Sequence, residues 1–486
     1  MNAESRFSIE SLEKELYIGG EWREASDGSE IDVIDPATEQ AIARVCDASV
    51  EDGLAALEAA YRAGPAWAAR PPRERGEVLR RSFELMIEHK EALARLITLE
   101  NGKALSEARA EVAYAAEFLR WFSEEAVRIQ GEIGTAPSGS NRIMVIRQPV
   151  GVALFVTPWN FPAAMATRKI GPALAAGCSM ILKPAKETPL TALAMAEIFE
   201  EAGVPGGVIN VLPSRRSAKL IGALLRDTRL RKLSFTGSTE TGRILLGQAA
   251  HNIVKCSMEL GGNAPFVVFD DADLEVAVAS AMVAKMRNGG QSCTAANRFY
   301  VQRPVASEFA QRFAGAMREL KMGHGLNEGV QLGPLINDEG RNKVSELVEQ
   351  ALAGGAKVMS GGKAPSGRGF FYEPTVLVDV KPDMEVMKQE IFGPVAPIAV
   401  FDSEDEAIAL ANGTDLGLVS FVHTRDIGRG LRACERIEAG MVGLNRGLVS
   451  DPAAPFGGWK QSGIGREGAH EGLLEYLETK YIAANW

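Results

Sequence analysis

The sequence predicts an α/β protein built on parallel sheets, and three observations carry that expectation. From residue 149 onward, short apolar runs at 150–156, 178–182, 208–212, 233–235 and 253–258 alternate with stretches of helical length and pattern. Strands separated by helices pair in parallel and take helices on both faces. A second alternation of this kind opens with Ala264-Pro-Phe-Val-Val-Phe269, passes through a helix over 273–286 and runs to about residue 440. The third observation is composition: 46% hydrophobic and 24% charged residues, near the globular average, so cores of ordinary size can form unaided. A chain of 486 residues has room for about three domains.

Ahead of the first alternation lies a helical layer. Ser49 and Asp52 make a capping box, and Leu54, Leu57, Ala60 and Tyr61 follow at helical spacing, a pattern that holds to about Trp121. Pro137-Ser-Gly-Ser140 then reads as a turn feeding the amphipathic strand Arg142-Ile-Met-Val-Ile-Arg147, an isolated ribbon that needs a partner. A strand-like run, Glu475-Tyr-Leu-Glu-Thr-Lys-Tyr-Ile482, stands near the other end. Both suggest contacts between subunits.

A net charge of −10 argues against nucleic acid as a partner, because phosphate neutralisation needs basic clusters and Arg215-Arg216 and 229–232 are short. Five scattered cysteines without a CxxC pair predict neither a disulfide framework nor a metal site, and fit a reducing compartment. The first twenty residues carry charge where a signal peptide is apolar, and no run approaches a membrane span. The expected location is the cytoplasm, with no membrane partner.

Three segments bear chemistry. In Asn288-Gly-Gly-Gln-Ser-Cys293-Thr-Ala-Ala-Asn297 a thiol sits among small residues after a helix, open to approach, although a lone cysteine is more often a small buried core residue. In Met258-Glu259-Leu260-Gly261-Gly262-Asn263-Ala264-Pro265 a carboxylate ends an apolar strand before paired glycines; it suits a general base or a strand-end cap. In Phe155-Val-Thr-Pro-Trp159-Asn160-Phe161-Pro162 two prolines fix a loop that aims an amide past a strand end, where ligands of open α/β sheets bind.

Together these segments resemble the signatures of the aldehyde dehydrogenase superfamily. The resemblance covers nearly the whole chain and includes Lys183-Pro184, Phe235-Thr-Gly-Ser238, Glu390-Ile-Phe392-Gly-Pro394 and Pro455-Phe-Gly-Gly458. It implies an aldehyde-dehydrogenase-like α/β fold: a Rossmann-type cofactor domain over 1–126 and 148–257, an α/β catalytic domain over 258–465, and a small β oligomerisation arm over 127–147 and 466–486. It further implies NAD(P)-dependent oxidation of an aldehyde to its acid. Cys293 would attack the carbonyl, Asn160 and the Cys293 N–H would hold the oxyanion, and Glu259 would activate water against the thioester. Cofactor contacts would come from Trp159, Lys183, Lys186, Gly237, Ser238, Leu260, Glu390 and Phe392, with Glu390 on the nicotinamide ribose. Two departures stand out: Met286, expected to be a packing change only, and Ala295, which removes the second cysteine of some relatives and with it a regulatory disulfide.

For the phosphates, Gly237-Ser238-Thr239-Glu-Thr-Gly242 follows a strand and opens a helix whose first amides can hold an anion. The literal GxGxxG at Gly463-Ile-Gly465-Arg-Glu-Gly468 has too little chain after it for a βαβ unit, and the lookalike at 428–433 reads as helix. Family members using NAD commonly place a ribose-binding glutamate three residues after the lysine matching Lys183; here Lys186 stands there. A cation attracts a 2′-phosphate, so NADP is the preferred cofactor, with NAD possible through the neighbouring Glu187. Arg215 and Arg216 could add charge for that phosphate.

Within the superfamily the resemblance is to succinate-semialdehyde dehydrogenases, through Thr167-Arg168-Lys169, Met286-Arg287-Asn288 and Leu448-Val449-Ser450. It implies that Arg168, Arg287 and Ser450 hold the distal carboxylate of a small semialdehyde, succinate semialdehyde or alternatively glutarate semialdehyde; structural salt bridges are the competing role for the arginines. A cofactor-independent thiol esterase using Cys293 and Glu259 is the alternative of a different class. Family members assemble through such strand ribbons, which implies a homodimer or homotetramer.

Overall fold

The computed structural model describes residues 7–485. An eight-stranded sheet runs in the order Glu21–Arg23, Leu16–Ile18, Ile209–Val211, Ser179–Lys183, Val152–Val156, Leu230–Thr236, Lys255–Glu259, Gly463–Ile464. Its five central strands are parallel. Numbered along the chain, those five lie in the order 3-2-1-4-5, the doubly wound arrangement. Their apolar runs are continuous because both faces are covered. Ala153 and Phe155 enter one core, while Val152, Leu154 and Val156 enter the core on the other side.

The second sheet orders Lys357–Ser360, Thr375–Val378, Val395–Phe401, Ala296–Gln302, Ala264–Val268, Val419–His423, Met441–Leu444, and all but the first strand are parallel to their neighbours. Its faces divide likewise, with Phe266 and Val268 in one core and Val267 in the other. The chain leaves the first sheet at Glu259 and enters the second at Ala264. The carboxyl ends of the first sheet therefore face the amino ends of the second across a short crossing.

The helical layer consists of Val50–Ala68, Pro72–Glu88, Lys90–Asn101 and Leu105–Glu125. The capping box is formed as read: Ser49 Oγ accepts from Asp52 N at 3.1 Å and Asp52 Oδ2 accepts from Ser49 N at 2.9 Å. The helix read over 273–286 is Leu274–Met286, capped by Asp273, and the 428–433 lookalike lies in the helix Ile427–Arg436. The ribbon Arg142–Pro149 pairs antiparallel with Leu477–Ala484 on one side and Glu132–Thr135 on the other, so the two strand-like runs partner each other within one chain.

One strand starts later than its apolar residues suggest. Ile253 closes a 3₁₀ turn with φ 51° and is 91% exposed, so the strand begins only at Lys255. A β-branched residue at positive φ is held there by the turn, whose closing bond runs from Ile253 N to Ala250 O at 3.3 Å. The GxGxxG at 463–468 contributes only the two-residue edge strand Gly463–Ile464, antiparallel to Lys255–Glu259.

Candidate active site

In a doubly wound sheet the ligand crevice opens at the carboxyl ends of the two strands where the order reverses. Here those strands are Val152–Val156 and Leu230–Thr236, and the residues just past them, Trp159, Asn160, Gly237 and Ser238, line a cavity of about 420 Å³. The same cavity receives Glu259 and Leu260 from the next strand end, Cys293 from before the strand Ala296–Gln302, and Glu390 and Phe392 from the second sheet's loops. Residues far apart in the chain thus converge because two sheets meet end to end.

The thiol of Cys293 is partly exposed to this cavity. Burial, and then the negative charge of Glu390, push its pKa up to about 12, against the pull of Arg168 and Arg287. In the ligand-free site it is a protonated thiol, and attack on a carbonyl needs a proton acceptor. Two glycines shape the turn that presents it. A Cβ on Gly262 would lie 2.3 Å from the Cys293 carbonyl oxygen, and one on Gly290, at φ +79°, would lie 2.1 Å from the Gly393 carbonyl oxygen. Any larger residue would displace the backbone on which the thiol rides.

Glu259 is buried, and neither carboxyl oxygen has a hydrogen-bond partner among the described residues. Burial first and the charge of Glu467 second hold it well above the usual carboxylate range, against Lys169, Arg168 and Arg466. A carboxyl raised in this way holds a proton more firmly than an exposed one, which suits a general base that must take one from a thiol or a water. The Asn160 amide donates one N–H to the Gln291 carbonyl at 3.1 Å and keeps the second for a ligand. Its backbone carbonyl accepts from Lys103 Nζ at 2.7 Å and from Asn288 Nδ2 at 2.9 Å, and the Trp159 carbonyl accepts from Asn101 Nδ2 at 3.0 Å. These clamps fix where the amide points. Lys103, Asn101, Asn288 and Gln291 carried no sequence signal beyond polarity near a helix end or beside the thiol.

The remaining residues of the first cavity suit a dinucleotide. Ser238 caps the helix Thr239–Ala249, accepting from Thr241 N at 3.3 Å, so the helix's first amides open at the crevice. Glu390 Oε1 accepts from Gly262 N at 3.0 Å, leaving Oε2 for a ligand hydroxyl, and burial raises this carboxyl to about 7. Trp159 and Phe392 meet edge to face at 5.4 Å as a wall. Lys183 is buried to the point that its pKa falls to about 8, and it makes no ion pair among the described residues. Lys186 is exposed and lies 3.8 Å from Glu187. It lines an adjoining cavity of about 400 Å³ with Arg215, while Glu187 borders both cavities.

Of the three residues read as carboxylate ligands, two line one cavity and the third meets that cavity through Tyr114. Arg287 and Ser450 line another cavity, of about 510 Å³, which also receives Tyr114, Phe161 and Met286. Met286 therefore contributes to a cavity wall as well as to packing. Arg168 lines neither cavity: its Nε faces Glu467 Oε2 at 3.2 Å, and its guanidinium lies 4.1 Å from the centre of the Phe456 ring. A salt bridge engages it, and it reaches the cavity only by donating from Nη2 to the Tyr114 hydroxyl at 3.1 Å. Glu467, which also pairs with Lys169, is a residue that sequence reading missed.

Residues 22–482 match the model of the aldehyde dehydrogenase family. The chain belongs to that family. Among its relatives in the family is a succinate-semialdehyde dehydrogenase of Paenarthrobacter nicotinovorans, 55% identical over 441 residues, 91% of this chain and 98% of the relative. Another is a glutarate-semialdehyde dehydrogenase of Pseudomonas putida, 51% identical over 469 residues, 96% of this chain and 97% of the relative. A crystal structure of an NADP-dependent enzyme of E. coli superposes with a TM-score of 0.96 at 49% identity, covering 98% of each chain. This aldehyde dehydrogenase thus has the fold expected of it. Among the described residues no helix is long and apolar enough to cross a membrane.

Proposed function

We propose that this aldehyde dehydrogenase oxidises short aldehydes bearing a distal carboxylate, succinate semialdehyde first and glutarate semialdehyde as the alternative, with NADP preferred and NAD admitted. The observation that carries the substrate is Arg287. Its guanidinium lies 4.6 Å from the centre of the Phe161 ring and 5.6 Å from that of Tyr114, in a cavity with Ser450, and it has no carboxylate partner among the described residues. An unpaired guanidinium with a hydroxyl beside it is a site for a carboxylate. The two relatives are named for those two aldehydes. Arg168 serves this site indirectly, by orienting the Tyr114 hydroxyl.

The steps follow from the residues. Glu259, or water beside it, accepts the Cys293 proton as the sulfur adds to the aldehyde carbon. The resulting oxyanion is held by the free N–H of Asn160 and the Cys293 backbone N–H. Trp159, Ser238, Glu390 and Phe392 would hold the dinucleotide at the switch point, where it would accept the hydride that leaves the adduct carbon as the oxyanion collapses to the thioester carbonyl. Once it has passed the thiol proton to solvent, Glu259 takes a proton from the water that attacks the thioester and returns it to the departing Cys293 sulfur, releasing the acid and restoring the thiol. Lys186 and Arg215, on one cavity rim, suit a 2′-phosphate.

Replacing Arg287 by glutamine is expected to lower kcat/KM for succinate semialdehyde by about 10–100-fold, the worth of a lost charge-assisted hydrogen bond. The loss should fall on KM and be smaller for butanal; equal losses would refute the carboxylate site. Replacing Lys186 by glutamate should shift the NADP-to-NAD ratio of kcat/KM toward NAD by about tenfold or more. An unchanged ratio would remove the argument for NADP.

The same reading assigns 1–126 with 148–257 to cofactor binding, 258–465 to catalysis, and 127–147 with 466–486 to assembly in a homodimer or homotetramer. The exposed edge strand Glu132–Thr135, with Ile133 67% exposed, supports pairing with a second copy. The place of work on this reading is the cytoplasm.

A further inference from the structure

Beside Arg287, the same cavity holds a carboxyl group that the chemistry above does not use. Glu107 comes from the helix Leu105–Glu125. Its Oε1 accepts from Asn288 N at 2.7 Å and so braces a residue held at φ 51°, two residues before Gly290. Its Oε2 is buried and has no partner among the described residues. A buried carboxyl oxygen without a partner is costly. The neighbouring Glu111 shows what a satisfied one looks like: it pairs with Lys103 at 2.6 Å and accepts from Ala163 N at 3.0 Å.

We propose that Glu107 is a specificity-determining residue of the acid-binding site: in its neutral form it donates the Oε2–H to the substrate's distal carboxylate beside Arg287 and Ser450, and in its ionised form it repels that carboxylate. The inference rests on the substrate reading given above and deepens it. Once the Oε2–H is donated, the partner missing from the ligand-free cavity is supplied by the ligand. A carboxyl that acts as donor to an anion must carry its proton, and burial holds Glu107 above the usual carboxylate range. The charged groups that face it are Lys103 and Arg287, which oppose that rise, and Glu111, which adds to it. Lys103, itself held below the usual lysine range by burial, is the other group whose charge could change.

The sign of the pH effect follows. The substrate's carboxylate is ionised across the neutral range, so affinity is greatest while Glu107 is protonated and falls as pH rises through its titration. The wild-type enzyme should lose kcat/KM for succinate semialdehyde toward alkaline pH relative to butanal, by about tenfold over the titration, with the loss in KM. Glu107→Gln keeps an acceptor for Asn288 N and a permanent N–H donor for the substrate, so this relative alkaline loss should shrink to less than about twofold.

Binding of the unreactive diacid succinate to the cofactor complex gives a second readout that needs no turnover. Titration calorimetry in buffers of different ionisation enthalpy, run across the pH range of the alkaline loss, should show a proton taken up by the wild type and none by Glu107→Gln. If the variant keeps the wild-type profile and proton uptake, Lys103 or another group is responsible and the proposal fails while the substrate reading stands. If the wild type does not prefer the semialdehyde to butanal at any pH, both fail. Should Glu107→Gln not fold, the wild-type proton uptake alone decides: none on succinate binding overturns the proposal.

Discussion

Replacing Cys293 by alanine is expected to lower NADP-dependent oxidation of succinate semialdehyde by about 10⁴-fold or more, the scale seen when a covalent nucleophile is removed from a preformed site. Among the described residues that line the 420 Å³ cavity, Cys293 carries the only thiol. Glu259 is a weaker nucleophile held above the carboxylate range by burial, and the other four cysteines do not line the cavity. Dinucleotide affinity should persist, because Ser238, Glu390 and Phe392 do not depend on the thiol. Stopped-flow detection of NADPH together with NADP binding checks both. Residual turnover near the wild-type rate would mean that the hydride leaves from an adduct on another group.

The second large effect concerns Glu259. Changing it to glutamine preserves volume and removes the base, and steady-state turnover should fall by about 10²–10⁴-fold. If its main task is hydrolysis of the thioester, acylation survives better than release. The variant should then form up to about one NADPH per site in a burst and stall as the acyl-enzyme. Mass spectrometry should find the succinyl group on Cys293.

The pH dependence has a definite sign. The base works when ionised, and burial with the charge of Glu467 raises its pKa. Deacylation in the wild type should therefore slow as pH falls through that raised value, and this acid limb should be missing in the glutamine variant. A burst of the same size and rate as in the wild type, followed by undiminished turnover, would assign water activation elsewhere.

The fold was readable where pattern and environment agree. The strand Val152–Val156 could be read because both its faces are buried and its run is apolar without a break. The first long helix could be read because its cap is built from adjacent residues, Ser49 and Asp52. Ile253 misled for the converse reason: local turn geometry, invisible in hydrophobicity, holds an apolar residue in solvent.

The candidate site divides along the same line. Cys293, Glu259 and Asn160 each sit in a local setting of small residues, glycines or prolines that marks a backbone built for approach, and the cavity receives all three. The polar shell around them is non-local. Lys103 reaches Asn160 across 57 residues and Lys169 reaches Glu467 across 298. Arg168 shows the cost of that blindness. Its position near the loop suggested a ligand contact; the fold also pairs its guanidinium with Glu467, which sequence could not place beside it. Glu107 is the reverse case, an ordinary helical glutamate in sequence whose free oxygen shows only once the helix is packed against the turn at Asn288.

The most direct measurement of the central claim is kcat/KM for NADP reduction by the wild-type enzyme at neutral pH, with succinate semialdehyde and butanal compared side by side. The account predicts a preference for the semialdehyde of about tenfold or more, since only it can engage Arg287 and Ser450. Equal values, or a preference for butanal, would contradict it.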